Sequence, residues 1–258
     1  MNSTLRTTLL AGAAIATLAL TACGGGGSDG IGDQLNLSSP SARIVNAMPG
    51  DPTLVLYRNS DEQTDAGTPT YEESSKYFET VTATSTWSVR DAATGLQIGS
   101  TSVDASGSTR YTLVAFPDGA TQATLMQISD PYDVGLTSDS ARVRVVNGSP
   151  NAGTFDVYMT APGVDLNTVS PTLGAIAYEN AVPASGADSY SFPGGTYELR
   201  LTLAGTKTVF FDAPISAGSN DDLLLVSLPA SSALNDVKIL DIPSASDELN
   251  SEILNTQE

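Results

Sequence analysis

Between positions 41 and 243 the apolar residues fall in short runs, at 43–47, 54–57, 86–90, 110–116 and 124–128, and again at 142–147, 154–159, 197–203, 206–212, 223–228 and 237–240. The runs favour Val, Thr, Tyr, Phe and Leu, and each stops at Gly, Pro, Asn or Asp, which is strand-and-turn punctuation. No stretch in this region carries a convincing helical period. The pattern predicts an all-β chain.

The runs also repeat. Arg43-Ile44-Val45-Asn46-Ala47-Met48-Pro49 lines up with Arg144-Val145-Val146-Asn147-Gly148-Ser149-Pro150, 101 positions downstream, and the frame holds at Tyr57 with Tyr158 and at Tyr77 with Tyr178. After an insertion, Val89-Arg90 aligns with Leu199-Arg200, Trp87 with Tyr197 and Gly95 with Gly205 at an offset of 110, and Pro117 and Pro131 align with Pro229 and Pro243 at 112. A spacing near 100 residues is that of a whole domain and not of a solenoid unit. Two domains are expected, 41–133 and 139–243, each an antiparallel β-sandwich of Ig-like size with roughly seven strands. The short polar junction between them permits a rigid or a loose arrangement. The acidic tail, 244–258, has Leu249, Ile253 and Leu254 on one side of a possible short helix, expected to be frayed or loosely docked because so short a helix is not stable alone.

The start of the chain is different. Arg6, the apolar run 9–20 and the small residues before Cys23 read as a signal peptide, residues 1–22, since the run is too short to span a bilayer. Leu20-Thr21-Ala22-Cys23 resembles a bacterial lipobox, in which the cysteine thiol takes a diacylglycerol and the new amine is acylated after cleavage. Cys23 is the chain's single cysteine and stands where that motif needs it. Several acyl chains on one residue anchor stably, at about 0.8 kcal/mol per buried methylene. Residues 23–40 are Gly-rich and polar and form a flexible tether. The resemblance to Gram-negative lipoproteins, with Gly24 in place of Asp, implies the outer membrane of the cell envelope.

Composition narrows the chemistry. With 11 basic and 29 acidic residues, no His and a net charge of −18, the chain lacks the clustered cations that neutralise phosphates, so no nucleic-acid partner is expected. Attachment to a membrane is expected through lipid and not through a charged face. Without His, serine-histidine triads and HExxH zinc sites are excluded, and one Cys excludes an intrachain disulfide and a cysteine zinc cluster.

Ala141-Arg142-Val143-Arg144-Val145-Val146-Asn147-Gly148-Ser149-Pro150, followed by Asp156-Val157-Tyr158, resembles the opening of the bacterial family named domain of unknown function 4397, and Pro193-Gly194-Gly195-Thr196-Tyr197-Glu198-Leu199 resembles a later strand entry of the same family. The resemblance is strong in the second repeat and more diverged in the first. Family members commonly carry His and Asp where this chain has Asn147 and Asn151. What it implies is a secreted or surface-anchored sandwich, often repeated, with no established catalytic residues.

Several features are candidate sites. Acidic clusters at Asp130, Asp133 and Asp139, at Asp221 and Asp222, and at Asp241, Asp247 and Glu248 offer oxygens to calcium, with Asp221 and Asp222 the best pair; solvated turn carboxylates are the favoured reading of all three. No other cofactor is expected. Trp87, Tyr57 and Tyr158 read as sandwich core rather than ligand platforms. The recurring Arg43, Arg90, Arg144 and Arg200 read as side chains lying along strand neighbours to meet an acid. Residues 185–192 are absent from the first repeat, so Asp188, Tyr190 and Phe192 are the first choice for a partner-contacting loop, with the irregular stretch 59–75 as a second. The expected function is non-catalytic: a lipid-anchored envelope protein displaying two sandwich modules for adhesion, recognition or envelope assembly, with a protein or polysaccharide partner. The alternatives are a carbohydrate-active enzyme or its accessory module, and a calcium-stabilised stalk.

Overall fold

The computed structural model describes residues 38–50, 52–131, 139–244 and 250–257; the signal segment, Cys23 and most of the tether lie outside them. Among the described residues there are strands and two short 3-10 turns but no α-helix. The first half supplies β1 (Ser41–Asn46), β2 (Leu54–Arg58), β3 (Asp61–Glu62), β4 (Phe78–Glu79), β5 (Thr84–Asp91), β6 (Gln97–Asp104), β7 (Arg110–Asp118) and β8 (Gln122–Asp130). They form two sheets, ordered β4-β1-β7-β8 and β3-β2-β5-β6. The second half supplies β9 (Ser140–Asn147), β10 (Phe155–Thr160), β11 (Leu173–Ile176), β12 (Ala181–Val182), β13 (Tyr190–Pro193), β14 (Gly195–Leu203), β15 (Val209–Ala217), β16 (Asp222–Pro229), β17 (Val237–Pro243) and β18 (Ser251–Ile253). These give β9-β16-β17-β18, with β12 and β13 on the outer side of β9, and β11-β10-β14-β15. The chain is thus an all-β protein built from two sandwiches.

One pairing departs from the all-antiparallel expectation: β1 runs parallel to β7, and β9 parallel to β16. The two parallel ladders are the same ladder, since Val45 faces Val114 and Val146 faces Val226. The repeat is therefore structural as well as sequential. The ladders also correct its frame after the insertion. Val89 pairs with Gly99 and Arg90 with Gln97 across a bulge, and Leu201 pairs with Phe211 and Thr202 with Val209 across the matching bulge. The offset in this hairpin is 112 and not 110, so Trp87 corresponds to Leu199, and Arg90 to Thr202.

The strands of the two inner sheets are buried on both faces. Ile44, Leu113 and Ala115 point into the first core, packed around Trp87, Leu54 and Leu56. Val143, Val145, Leu223 and Leu225 point into the second, around Phe155, Leu201 and Phe211. Their neighbours in sequence, Val45, Val114, Phe116 and Ile128 on one side and Val146, Leu224, Val226, Leu228 and Ile242 on the other, meet in a third apolar layer between the sandwiches. Burial on two faces is why β7 and β16 read as continuous apolar runs instead of alternating ones. Gly148 marks the closeness of the contact: a Cβ there would lie 3.0 Å from Cε1 of Phe116 in the other sandwich and 2.8 Å from the carbonyl of Ser227.

The two sandwiches point the same way. Phe116, late in β7, meets the residue just past the end of β9, and Arg110, at the start of β7, faces Asp222 at the start of β16. Residues 38–40 enter at the Arg110 end, where Ser108 donates its backbone N–H to the Ser38 carbonyl at 3.0 Å. The loops after β1, β5 and β7, and after β9, β14 and β16, all lie at the opposite end.

Candidate functional site

At the tether end the apolar layer gives way to charge. Arg43, Arg110, Arg142, Arg144, Asp130 and Asp222 are all at most 9% exposed. Alternation places them there: on the same strand faces, Arg43, Arg144, Asp130 and Asp222 stand two positions from Val45, Val146, Ile128 and Leu224, and Arg110 and Arg142 stand four from Val114 and Val146. Asp222 accepts from Arg142 at 3.1 Å and lies 4.0 Å from Arg110 of the other sandwich. Arg144 lies 3.5 Å from Asp130 across the junction, and Arg43 donates to the Pro243 carbonyl across it at 3.0 Å and to Thr112 at 3.0 Å. The Tyr77 ring lies 4.4 Å from the Arg43 guanidinium. Burial, with the nearby Asp222 charge, pushes the Asp130 carboxyl above its ordinary range against the pull of Arg144, Arg142 and Arg110. The space these groups leave, about 10 Å³, holds at most about one water. The cluster is therefore a fastening and not a ligand pocket.

Arg43 and Pro243 also border a cleft of about 500 Å³ along the flank of the first sandwich, with Pro69, Glu72, Lys76 and Asn250. The opposite end is open as well. The loops after β1, β5 and β7 frame a cleft of about 490 Å³ lined by Met48, Pro49, Pro52, Leu96, Ile98 and Pro117 among others. Leu96 is 66% exposed at its rim. The loop after β1 is held by Asn46, fully buried, whose Nδ2 donates to the Pro52 and Pro69 carbonyls while Oδ1 accepts from the Met48 N–H. Asn147 repeats the arrangement in the second sandwich, donating to the Gly153 and Ile176 carbonyls and accepting from Ser149 and Ser227. Asn151 then ties that loop to the Ser231, Ala233 and Asp236 carbonyls. Both asparagines act as loop clips.

The structure reassigns several sequence candidates. Asp221 and Asp222 do not converge: Asp221 bonds the Gly218 N–H at 2.5 Å, while Asp222 is buried on the arginines, because neighbours on a strand face opposite ways. Among the described residues no three acidic side chains gather as a metal set; Asp133, Asp247 and Glu248 lie outside those residues. The insertion does not offer its apolar residue to a partner, since Phe192 is buried against Tyr197 with ring centroids 5.3 Å apart. Its other end binds this chain instead. Gly186 donates to the Ser129 carbonyl at 2.8 Å, Ser189 bonds Asp130 at 3.4 Å, and Arg144 donates to the Pro183, Ala184 and Ala187 carbonyls. The segment straps the second sandwich to β8. Tyr190, at 41% exposed, and Asp188 remain on the surface. Trp87 is core, beside Phe78. Arg200 lies 3.7 Å from Glu198, and Arg90 stacks 4.3 Å from the Tyr57 ring.

In the tail, the described residues 250–257 hold a strand and no helix, and Leu249 lies outside them. Ser251–Ile253 pairs with β17, Ile253 opposite Ile239. Lys238 of β17 holds Glu252 at 3.2 Å and Glu72 of the first sandwich at 2.6 Å. Burial, and the bond to Glu252, push Glu72 up, while bonds to Glu72 and Lys238 hold Glu252 down.

Fold and joint together define a tandem β-sandwich protein fastened along its inner sheets. Residues 40–158 match the model of the family described as Domain of unknown function (DUF4397). The match takes in the whole first sandwich and, in the second, β9 and β10 up to Tyr158. No curated protein matches the chain.

Proposed function

We propose that this chain is a lipid-anchored, non-catalytic protein of the cell envelope, held at an outer membrane through acylated Cys23, that presents both sandwiches as one rigid block for recognition or assembly. The observation that carries the reading is directional. The inner sheets are fastened with their strands running the same way, so the chain enters at one end and six loops of the two sandwiches share the other. A tether at one end and grouped loops at the other suit a displayed recognition face, because loops on a rigid scaffold are where binding residues concentrate. The cleft beside Leu96 is the part of that face suited to an apolar or uncharged group on a protein or polysaccharide partner.

Anchoring is tested by radiolabelled palmitate: the chain takes up label and pellets with membranes, and Cys23→Ser abolishes both. An unlabelled, freely soluble wild-type chain would overturn it. Display is tested with a photo-crosslinking residue at Leu96 and, as control, at Ser106 by the tether end, on intact and lysed cells. Adducts from position 96 alone support the reading; adducts from 106 alone, or turnover lost on changing one carboxylate, overturn it.

A further inference from the structure

On the outer side of the second sandwich, β15 and β17 are the last strands of their two sheets, and the tail lies between them. Ser251, Glu252 and Ile253 face Asp241, Leu240 and Ile239 of β17. Two residues on, the tail turns to the other sheet: the Asn255 side chain accepts from the Asp212 N–H at 3.1 Å and donates to the Phe210 carbonyl at 3.0 Å, and the Thr256 N–H donates to the Asp212 carbonyl at 2.8 Å. Ile253 packs on the second core, and Glu252 meets Lys238. The first sandwich has no such space, because β6 and β8 close on each other there; a Cβ on Gly99 would lie 2.4 Å from the Ala123 carbonyl. The counterpart of Gly99 is Phe211, and that of Ala123 is Val237, so bulk wedges the second sandwich open. The ladder of the occupant is only three residues long, and Ser251 and Glu252 are exposed.

We propose that this side of the second sandwich is a strand-accepting groove, whose ligand is an extended peptide with an acidic residue, an aliphatic residue next to it and an Asn two places further, and that residues 250–257 are its built-in occupant. Strand addition to a sheet edge takes affinity from main-chain hydrogen bonds and specificity from alternate side chains. Here the specifying contacts are Lys238 for the acid, the core beside Ile239 for the aliphatic residue, and the Phe210 and Asp212 backbone for the amide. A three-residue ladder belongs to the low-stability part of a fold, the part that opens first. The groove is therefore available to a competing strand presented at sufficient concentration.

The test uses the full chain with its tail weakened in place by Glu252→Gln and Ile253→Asp, and a fluorescein-labelled peptide with the sequence of residues 250–257. Peptide should bind the weakened chain at least about tenfold more tightly than the unaltered chain, whose own tail competes. Adding Lys238→Glu should abolish that binding and restore it for a peptide carrying Glu252→Lys. A folded, weakened chain that takes no peptide, or takes both peptides alike whatever stands at 238, overturns the proposal. A second measurement needs no variant: saturating peptide added to the unaltered chain should expel the tail and speed hydrogen exchange at the Thr256 amide. Unchanged exchange there overturns it as well.

Discussion

The two sandwiches share a frame down to a matching bulge in their β5-β6 and β14-β15 hairpins, yet they finish their outer sides differently. In the first, Gly99 and Ala123 are small enough for the two sheets to touch. In the second, Phe211 and Val237 stand at the same places, the sheets stay apart, and the chain adds a strand of its own between them. The inner faces show the reverse: there the two repeats meet through equivalent positions, Val45, Val114 and Phe116 opposing the layer formed by Val146, Val226 and Leu228. A duplicated domain thus keeps its shared face matched, because each copy is the other's packing partner. The outer side of each copy answers to nothing but itself and is free to diverge.

The largest effect should come from breaking the matched face. Phe116 and Leu228 are repeat counterparts, both fully buried in the joint, with the Phe116 ring centroid 6.0 Å from that of Tyr178. Phe116→Ala should cost about 3–5 kcal/mol and Leu228→Ala about 2–5 kcal/mol, measured by urea unfolding. If the joint is one cooperative layer, each variant should also lower the unfolding midpoint of the sandwich it does not belong to. Two independent transitions, only one of them shifted, would show the sandwiches to be separately stable bodies.

Next in size is the outer side of the first sandwich. Gly99→Ala places a methyl carbon against a backbone oxygen of β8, which no rotamer change relieves, so about 1–3 kcal/mol is expected. Phe211→Leu in the second sandwich keeps most of the wedge and should cost less. Equal losses would mean that the two sides are closed by the same contact after all.

The pH dependence of the joint follows from Asp130. Its carboxyl is raised in the folded protein by burial and by Asp222, with Arg144, Arg142 and Arg110 opposing. A raised folded value favours the folded state below the ordinary carboxylate range, and that contribution is lost as pH rises through the folded value. Across that window the wild type should therefore lose stability relative to Asp130→Asn, in which the position no longer titrates. Parallel pH profiles for the two chains would place the burden of the buried cluster elsewhere.

Much of this was readable in the chain. Strand runs bounded by Gly, Pro, Asn and Asp gave the all-β class, and the Arg43 to Pro49 echo at Arg144 to Pro150 gave the tandem frame. The joint was legible only in part: a run such as Leu223 to Leu228 says that both faces are covered, but not by what. The hairpin offset reads as 110 in the sequence because Gly95 and Gly205 both serve positive-φ turn positions, at 68° and 74°, while occupying different places in loops of equal length. The insertion at 185–192 looked like a binding loop because it is unmatched. Its unmatched length is used internally, to carry the Ala187 carbonyl to Arg144, the Gly186 N–H to Ser129 and the Ser189 hydroxyl to Asp130. The tail's strand depends on a gap opened by Phe211, about 40 residues earlier, and no local pattern in Ser251-Glu252-Ile253 announces it.

The smallest effect tests the tail itself. Lys238 reaches Glu252 and Glu72 together, linking β18, β17 and the first sandwich, but Glu252 is well exposed and solvent screens the pair. Lys238→Met should therefore change global stability by only about 0–1 kcal/mol. The methionine keeps the aliphatic stem over the core and removes the charge that fixes the tail's register. Hydrogen exchange at Ile253 and Thr256 should rise several-fold while the amides of β7 and β16, deep in the joint, stay protected. The same rise throughout β17 would mean that the tail, far from being an added strand, is what keeps that edge of the second sandwich folded.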